Sequence, residues 1–298
     1  MKLKDFIPPV MIKIIKRREI KERQEKEARD NREYETYANA FDACLYGAYE
    51  SYELCQMIAA KTIAYRRQLE EKPYRVSATN SFLLSIIHQY LFAFKTDRLN
   101  IVDFGGACGT HYFEIRRLIP SQIILNWQVV ETPSMVAAAR AGGLSSNELQ
   151  FIESLDLVND PVDLLHSSGA LQYVPDPWEY LTRLLGLKAK WLLFNRMMFS
   201  TGIKDIITIQ RSNLSANGPG PLPVGYVDKE ICYPHTTLSL PKFRDRCTLS
   251  YRPIWDFDEV SGSFALGDFN IVGKGLFLTQ ADSNGIQQDL PAALAAVP

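Results

Sequence analysis

"IVDFGGACGTHYF", residues 101–113, decides how the chain is read. It begins as an apolar strand that closes on an acid, Asp103, and an aromatic, Phe104. Gly105, Gly106 and Gly109 then strip the chain of side chains, and Thr110 to Phe113 open a helix. Glycine takes backbone conformations closed to other residues and lets N–H groups approach a ligand's polar atoms closely. A bare turn between a strand's carboxyl end and a helix start is where ligands sit in open α/β sheets.

Downstream the alternation continues. "IILNWQVVE", "LQFIES", "VDLLHSS" and "KWLLFNR" read as strands, and "PSMVAAARAG" and "DPWEYLTRLLGL" as the helices between them. "YRPIWDFDE" and "FNIVGKGLFLTQ" read as a closing antiparallel pair at the sheet edge. The pattern predicts an α/β, Rossmann-like fold over residues 97–280, with a mostly parallel seven-stranded sheet whose last strand is antiparallel. Upstream, apolar residues recur at helical spacing over 34–70 and 77–95, the latter with Ser77 or Thr79 as cap, so 1–96 is expected to be an N-terminal helical region. His88 falls in the apolar "FLLSIIHQYLF" and reads as structural, and residues 281–298 read as a frayed tail.

Composition narrows the classes. With 298 residues, 46% of them hydrophobic, the chain can bury a sizeable core. A net charge of −1 and the lack of a basic stripe in the core argue against nucleic acid. Cys44, Cys55, Cys108, Cys232 and Cys247 stand far apart without a C-x-x-C, so neither a disulfide framework nor a metal site is expected, and a reducing, cytoplasmic compartment fits. Residues 1–32 carry eleven Lys/Arg against six Asp/Glu, with Val10, Met11, Ile14 and Ile15 among them. That segment is neither a secretory signal nor long enough to span a bilayer. It reads as a helix that lies on an anionic membrane surface at the inner face, or that packs on its own domain or a partner subunit.

The spacing of the turn separates ligands. A dinucleotide fingerprint, G-x-G-x-x-G, never comes into register. The pattern D-x-G-x-G-x-G of S-adenosylmethionine-dependent methyltransferases does, with Asp103, Gly105, Ala107 and Gly109 at its fixed positions and Gly106 as an extra glycine. Asp103 suits that ligand's ammonium or, through water, its sulfonium end. Glu131, closing "WQVVE", suits its ribose hydroxyls. Thr132 beside it, Ser154 and Leu155 after the third strand, and Ser167 after the fourth complete the cofactor candidates. Alanine at Asp103 or at Glu131 is expected to weaken cofactor binding with the fold intact.

These motifs resemble a family of methyltransferases encoded among bacterial surface-polysaccharide proteins. "FIPPVMIKIIKR", "DFGGACGTHYF", "WQVVE", "SSGALQYVPDP", "NRMMF", "TIQ" and "CYP" carry the resemblance, which runs to about residue 280. It implies the class I methyltransferase fold, S-adenosylmethionine as cofactor, and a glycan or glycolipid substrate. His235 stands after "CYP" where the family pattern has an aromatic residue.

Methyl transfer to a sugar hydroxyl needs the acceptor aligned and its proton taken, for which histidine is suited. His111, just past the glycines, and His235 are the candidate bases, while His166, inside a strand, reads as orienting its neighbours. Residues 198–240 form a long insertion around the loop "SANGPGPLPVG", read as a lid over the cofactor. Tyr112, Tyr173, Arg196, Gln210 and Tyr233 are the candidate substrate contacts. The rival reading is a methyltransferase-like scaffold without activity in a membrane-associated polysaccharide assembly, favoured by Ala107 in a glycine position.

Overall fold

The computed structural model describes residues 32–44, 51–71, 76–159, 161–266 and 269–281. Three helices precede the sheet: α1 (Tyr37–Asp42), α2 (Tyr52–Glu71) and α3 (Ala78–Phe94). Ser77 caps α3 by accepting from the Asn80 backbone N–H. Then come β1 (Arg98–Phe104), α4 (Thr110–Arg116), β2 (Ile124–Val130), α5 (Pro133–Ala141), β3 (Leu149–Ile152), β4 (Leu164–Ser168), α6 (Pro177–Gly186) and β5 (Trp191–Ser200). β6 (Ile206–Asn213), β7 (Glu230–Ser239), α7 (Leu240–Thr248), β8 (Tyr251–Leu266) and β9 (Phe269–Gln280) complete the chain.

The strands expected from the sequence form one sheet in the order β3-β2-β1-β4-β5-β9-β8. β1 to β5 run parallel; β9 is antiparallel to both β5 and β8. Two more strands raise the total to nine: β6 and β7, an antiparallel hairpin contributed by the insertion. Their place follows from the ladder. β4 occupies one edge of β5 only as far as Asn195, whereas β9 runs along the other edge to Ser200. Beyond the end of β4 the first edge is free, and β7 takes it up at Phe199 and Ser200. The hairpin therefore stands above the carboxyl end of β4, where ligands of such sheets are held.

Alternation along the strands sends side chains to two cores. Leu99, Ile101, Trp127, Val129, Leu164 and Trp191 pack under α2, α3, α4 and α5, whereas Val102, Phe104, Val130, Leu165, Leu192 and Phe194 pack under α6 and α7. The helices α2 and α3 thus share a core with the sheet, while Ala40 of α1 packs on Ile209 and Cys232 of the hairpin. Glu114 of α4, 6% exposed, fastens α2 and α3 by accepting from Tyr65, from the Ser77 backbone and hydroxyl, and from Asn80. His88 lies on the exposed face of α3, contrary to the buried role its apolar neighbours suggest. The charged stretch 1–31 and the tail from 282 lie outside the described residues, and among those residues no helix is long and apolar enough to cross a membrane.

Nor is the insertion a free-standing flap. Lys61 of α2, 2% exposed, donates to the carbonyls of Ser215 and Asn217 at 2.7 and 2.6 Å. Tyr34 pairs with Ile207 by a backbone bridge, and Tyr37 of α1 donates to the Tyr173 carbonyl at 2.7 Å.

Candidate functional site

The turn after β1 has the geometry its spacing implies. Gly105, Ala107 and Gly109 all take positive φ, at 73°, 49° and 81°. Gly106 does not, and its bareness has another cause: a Cβ there would lie 2.4 Å from Asp103 Oδ2. A Cβ on Gly105 would lie 2.0 Å from the Cβ of Ala170. Ala107 meets the left-handed requirement without being glycine, which costs about 1–2 kcal/mol. Ala107→Gly is accordingly expected to raise stability by up to about 1 kcal/mol, the gain being offset in part by glycine's freer unfolded chain, as a thermal unfolding series would measure.

Glu131, at the end of β2 and 7% exposed, reaches into this turn. Its Oε1 accepts from the Ala107 N–H and its Oε2 from the Thr132 N–H, both at 3.0 Å. Thr132 caps α5 through its hydroxyl. Ser154 caps the short turn after β3, whose Leu155 is buried among Val130 and Leu165. Among the described residues three buried polar atoms here lack a hydrogen-bond partner: Ser167 Oγ and Ser168 Oγ at the carboxyl end of β4, and Asn195 Nδ2 beside Ser168 on β5. Orphaned polar atoms beside a bare turn at the point where strand order reverses between β1 and β4 fit a polar small molecule held there.

Asp103 is not placed as the sequence reading expects. It shares strand parity with Leu99 and Ile101, so its side chain points into the core under α4 and is fully buried. His166 faces it across the ladder, with Nδ1 2.8 Å from Oδ1. His111 Nδ1 lies 3.0 Å from Oδ2, to which Trp127 Nε1 also donates at 3.3 Å. Burial alone would raise its pKa, but the charges of and hydrogen bonds from His111 and His166 outweigh it and hold the carboxyl well below the usual range. Both oxygens are occupied by protein donors, so direct contact with a cofactor's ammonium is replaced by an internal role.

The two candidate bases differ. His111 is 16% exposed at its side chain, has an acid on Nδ1, and its Nε2 has no hydrogen-bond partner among the described residues. His235 is buried against the Tyr173 ring, its only side-chain hydrogen bond among the described residues being a 3.5 Å approach to the Thr237 hydroxyl, and burial drives its pKa down to about 4. Only His111 is both oriented and reachable.

The substrate candidates divide likewise. Tyr173 follows β4 in a short turn, donates to Gln210 at 2.6 Å, and meets Tyr233 edge-on at 5.3 Å. Tyr233 shares its hydroxyl with Ser212 and Asn217. Arg196 sits in a bulge of β5 at φ 54°, exposed, its backbone N–H donating to Glu259. These four, with His235, converge beneath the hairpin. Tyr112 does not join them: its hydroxyl donates to Glu148 at 2.8 Å and its ring packs on Trp127, so it is a core residue. Sequence reasoning passed over Asn195 and Trp127 and gave His166 only a general orienting part. The signal available was strand parity, which puts His166 with Leu164 and Trp127 with Val129 on one face. An open depression of about 550 Å³ lined by Arg116 to Ser121 lies at the other end of α4, where Arg116 is spent on Glu148 and the carbonyls of the turn.

No family profile matches the chain, and no curated protein matches it in sequence. Solved structures share its chain path at low identity. An S-adenosylmethionine-dependent methyltransferase from Clostridium acetobutylicum aligns over 70% of this chain and 93% of its own, at 10% identity and a TM-score of 0.42. An amino pentose methyltransferase from Micromonospora echinaspora, solved with S-adenosylmethionine, aligns over 73% and 97%, at 9% identity and 0.43. Magnesium protoporphyrin IX methyltransferase from Synechocystis aligns over 78% and 100%, at 11% identity and 0.38. The fold itself is the Rossmann-like, mostly parallel sheet described above.

Proposed function

We propose that the chain binds S-adenosylmethionine at the turn 105–109 and methylates an oxygen of an acceptor, a sugar of a surface glycan or its precursor. The observation that carries this reading is the turn itself: three left-handed positions in the D-x-G-x-G-x-G register, tied by Glu131 at the switch point of the sheet. Glu131, holding the turn through the Ala107 N–H at the end of β2, stands where a carboxylate would accept ribose hydroxyls. Ser167 and Ser168 supply unspent polar atoms at the adjoining end of β4. When bound, the cofactor supplies a methyl group already activated by the sulfonium. The protein's part is to align an acceptor and exclude water. His111 Nε2 holds the proton released from the acceptor hydroxyl. Gln210, Tyr173, Tyr233 and Arg196 offer polar atoms for the acceptor, and the basic stretch 1–32 brings the enzyme to an anionic membrane surface. The glycan assignment rests on the motif resemblance. Ala107 gives no support to an inactive scaffold, because it adopts the conformation a glycine would.

Isothermal titration with S-adenosylmethionine is expected to show one site. Glu131→Ala is expected to weaken it roughly tenfold to a hundredfold, the equivalent of one or two charge-assisted hydrogen bonds. Absence of binding by the wild-type chain would sink the assignment. Mass spectrometry of surface glycan from cells with and without the protein would identify the acceptor.

A further inference from the structure

His166 has an oxygen at each ring nitrogen: Asp103 Oδ1 at 2.8 Å from Nδ1 and Asn195 Oδ1 at 3.2 Å from Nε2. Two such acceptors would demand an imidazolium, yet the ring is fully buried, which disfavours charge. Asn195 resolves the conflict. Its Nδ2 is buried without a partner, and turning the amide over pairs that nitrogen with Nε2. His166 is then neutral with its proton on Nδ1, donated to Asp103.

The same logic applies to the other carboxylate oxygen. His111 presents Nδ1 to Asp103 Oδ2 at 3.0 Å and to Oδ1 at 3.3 Å, so Nδ1 carries a proton and, in the neutral ring, Nε2 holds the lone pair. The two rings stand 4.8 Å apart and nearly perpendicular, each aimed at the same carboxylate. Trp127 adds a third donor. We propose that His166 and Asn195 are positioning residues: the chain Asn195–His166–Asp103–His111 fixes His111 in the tautomer that offers Nε2 as a base. What His111 does with a proton rests on the methyl-transfer reading; the tautomer does not.

Long-range proton–nitrogen NMR of the full chain labelled with ¹⁵N-histidine tests this directly. In alkaline solution, where histidine rings are neutral, both His111 and His166 are expected to carry their proton on Nδ1. A His111 proton on Nε2, or a doubly protonated His166, overturns the proposal, and this wild-type spectrum decides even where variants fail to fold. Diethyl pyrocarbonate, which attacks an unprotonated ring nitrogen, gives a second reading by mass spectrometry of the His111 peptide. In His166→Leu the carboxylate loses a donor and holds the His111 proton more firmly, drawing positive charge onto the ring; modification should slow roughly fivefold to tenfold. His166→Asn, which keeps an N–H near Oδ1, should restore the rate to within about twofold. Equal rates in the two variants would overturn the positioning role. Asp103, His111 and His166 present donor atoms within 4.8 Å of one another, so zinc is the competing occupant. Stoichiometric zinc binding that His166→Leu abolishes would also overturn the proposal. Failure to bind S-adenosylmethionine, by contrast, removes the reaction and leaves the spectrum as it is.

Discussion

Asp103→Ala is expected to lower the unfolding free energy by about 3–5 kcal/mol, the cost of leaving buried donors without their charged acceptor. The reason is the set of groups left behind. His111, His166 and Trp127 each donate to the carboxylate, and His166 and Trp127 have no access to water that could replace it. The sequence alone leads to a different expectation, loss of cofactor affinity with the fold intact, because it cannot show that the strand turns this side chain inward. Urea unfolding of wild type and variant distinguishes the two: a lower midpoint at unchanged slope supports the internal role. A variant as stable as wild type but unable to bind S-adenosylmethionine would return Asp103 to the ligand.

Stability is expected to fall on mild acidification, by about 2 kcal/mol between about pH 7 and pH 5 from His235 alone. Burial holds His235 neutral down to about 4 in the fold, against 6.5 for the unconstrained ring. In that interval the unfolded chain binds a proton that the folded chain refuses, so the contribution is complete above the unfolded value and is lost as pH falls toward the folded one. His166, depressed by burial against the opposing pull of Asp103, acts in the same direction. Asp103 does not contribute there, since a carboxylate held below its usual range loses its effect only at lower pH. His235→Leu should flatten the dependence of the denaturation midpoint on pH across this window. An equally steep dependence in the variant would place the sensitive group elsewhere.

The strand–helix alternation after residue 97 was legible because each parallel strand is a short apolar run bounded by turn residues, and a sheet covered on both faces demands that pattern. The turn 105–109 was legible because left-handed backbone selects glycine; even Ala107 betrays itself only by position. Two things were hidden. The insertion reads as a loop between possible strands, and nothing in "SANGPGPLPVG" tells that Lys61, more than 150 residues earlier, secures its start by hydrogen bonds to Ser215 and Asn217. The carboxylate–histidine network was hidden because it is a matter of register. Asp103 pairs with His166 and Ser168 with Asn195 across β1, β4 and β5, and a shift of one residue would send every one of these side chains to the opposite face. Tyr112 illustrates the converse, a polar aromatic next to the motif whose helical position points it at Glu148.

The tie between Tyr37 and Tyr173 joins positions separated by 136 along the chain. During synthesis the segment around Tyr37 leaves the ribosome long before its partners on the turn after β4 and on β6 exist, so it must wait, unanchored, for most of translation. Bringing such distant ends together carries a large loop-closure entropy, and the contact repays it only after the central strands are assembled. Residues 34–43 are therefore a late-docking clasp, and a truncation that removes them should leave nascent folding of the sheet undisturbed while depriving the finished protein of its final fastening.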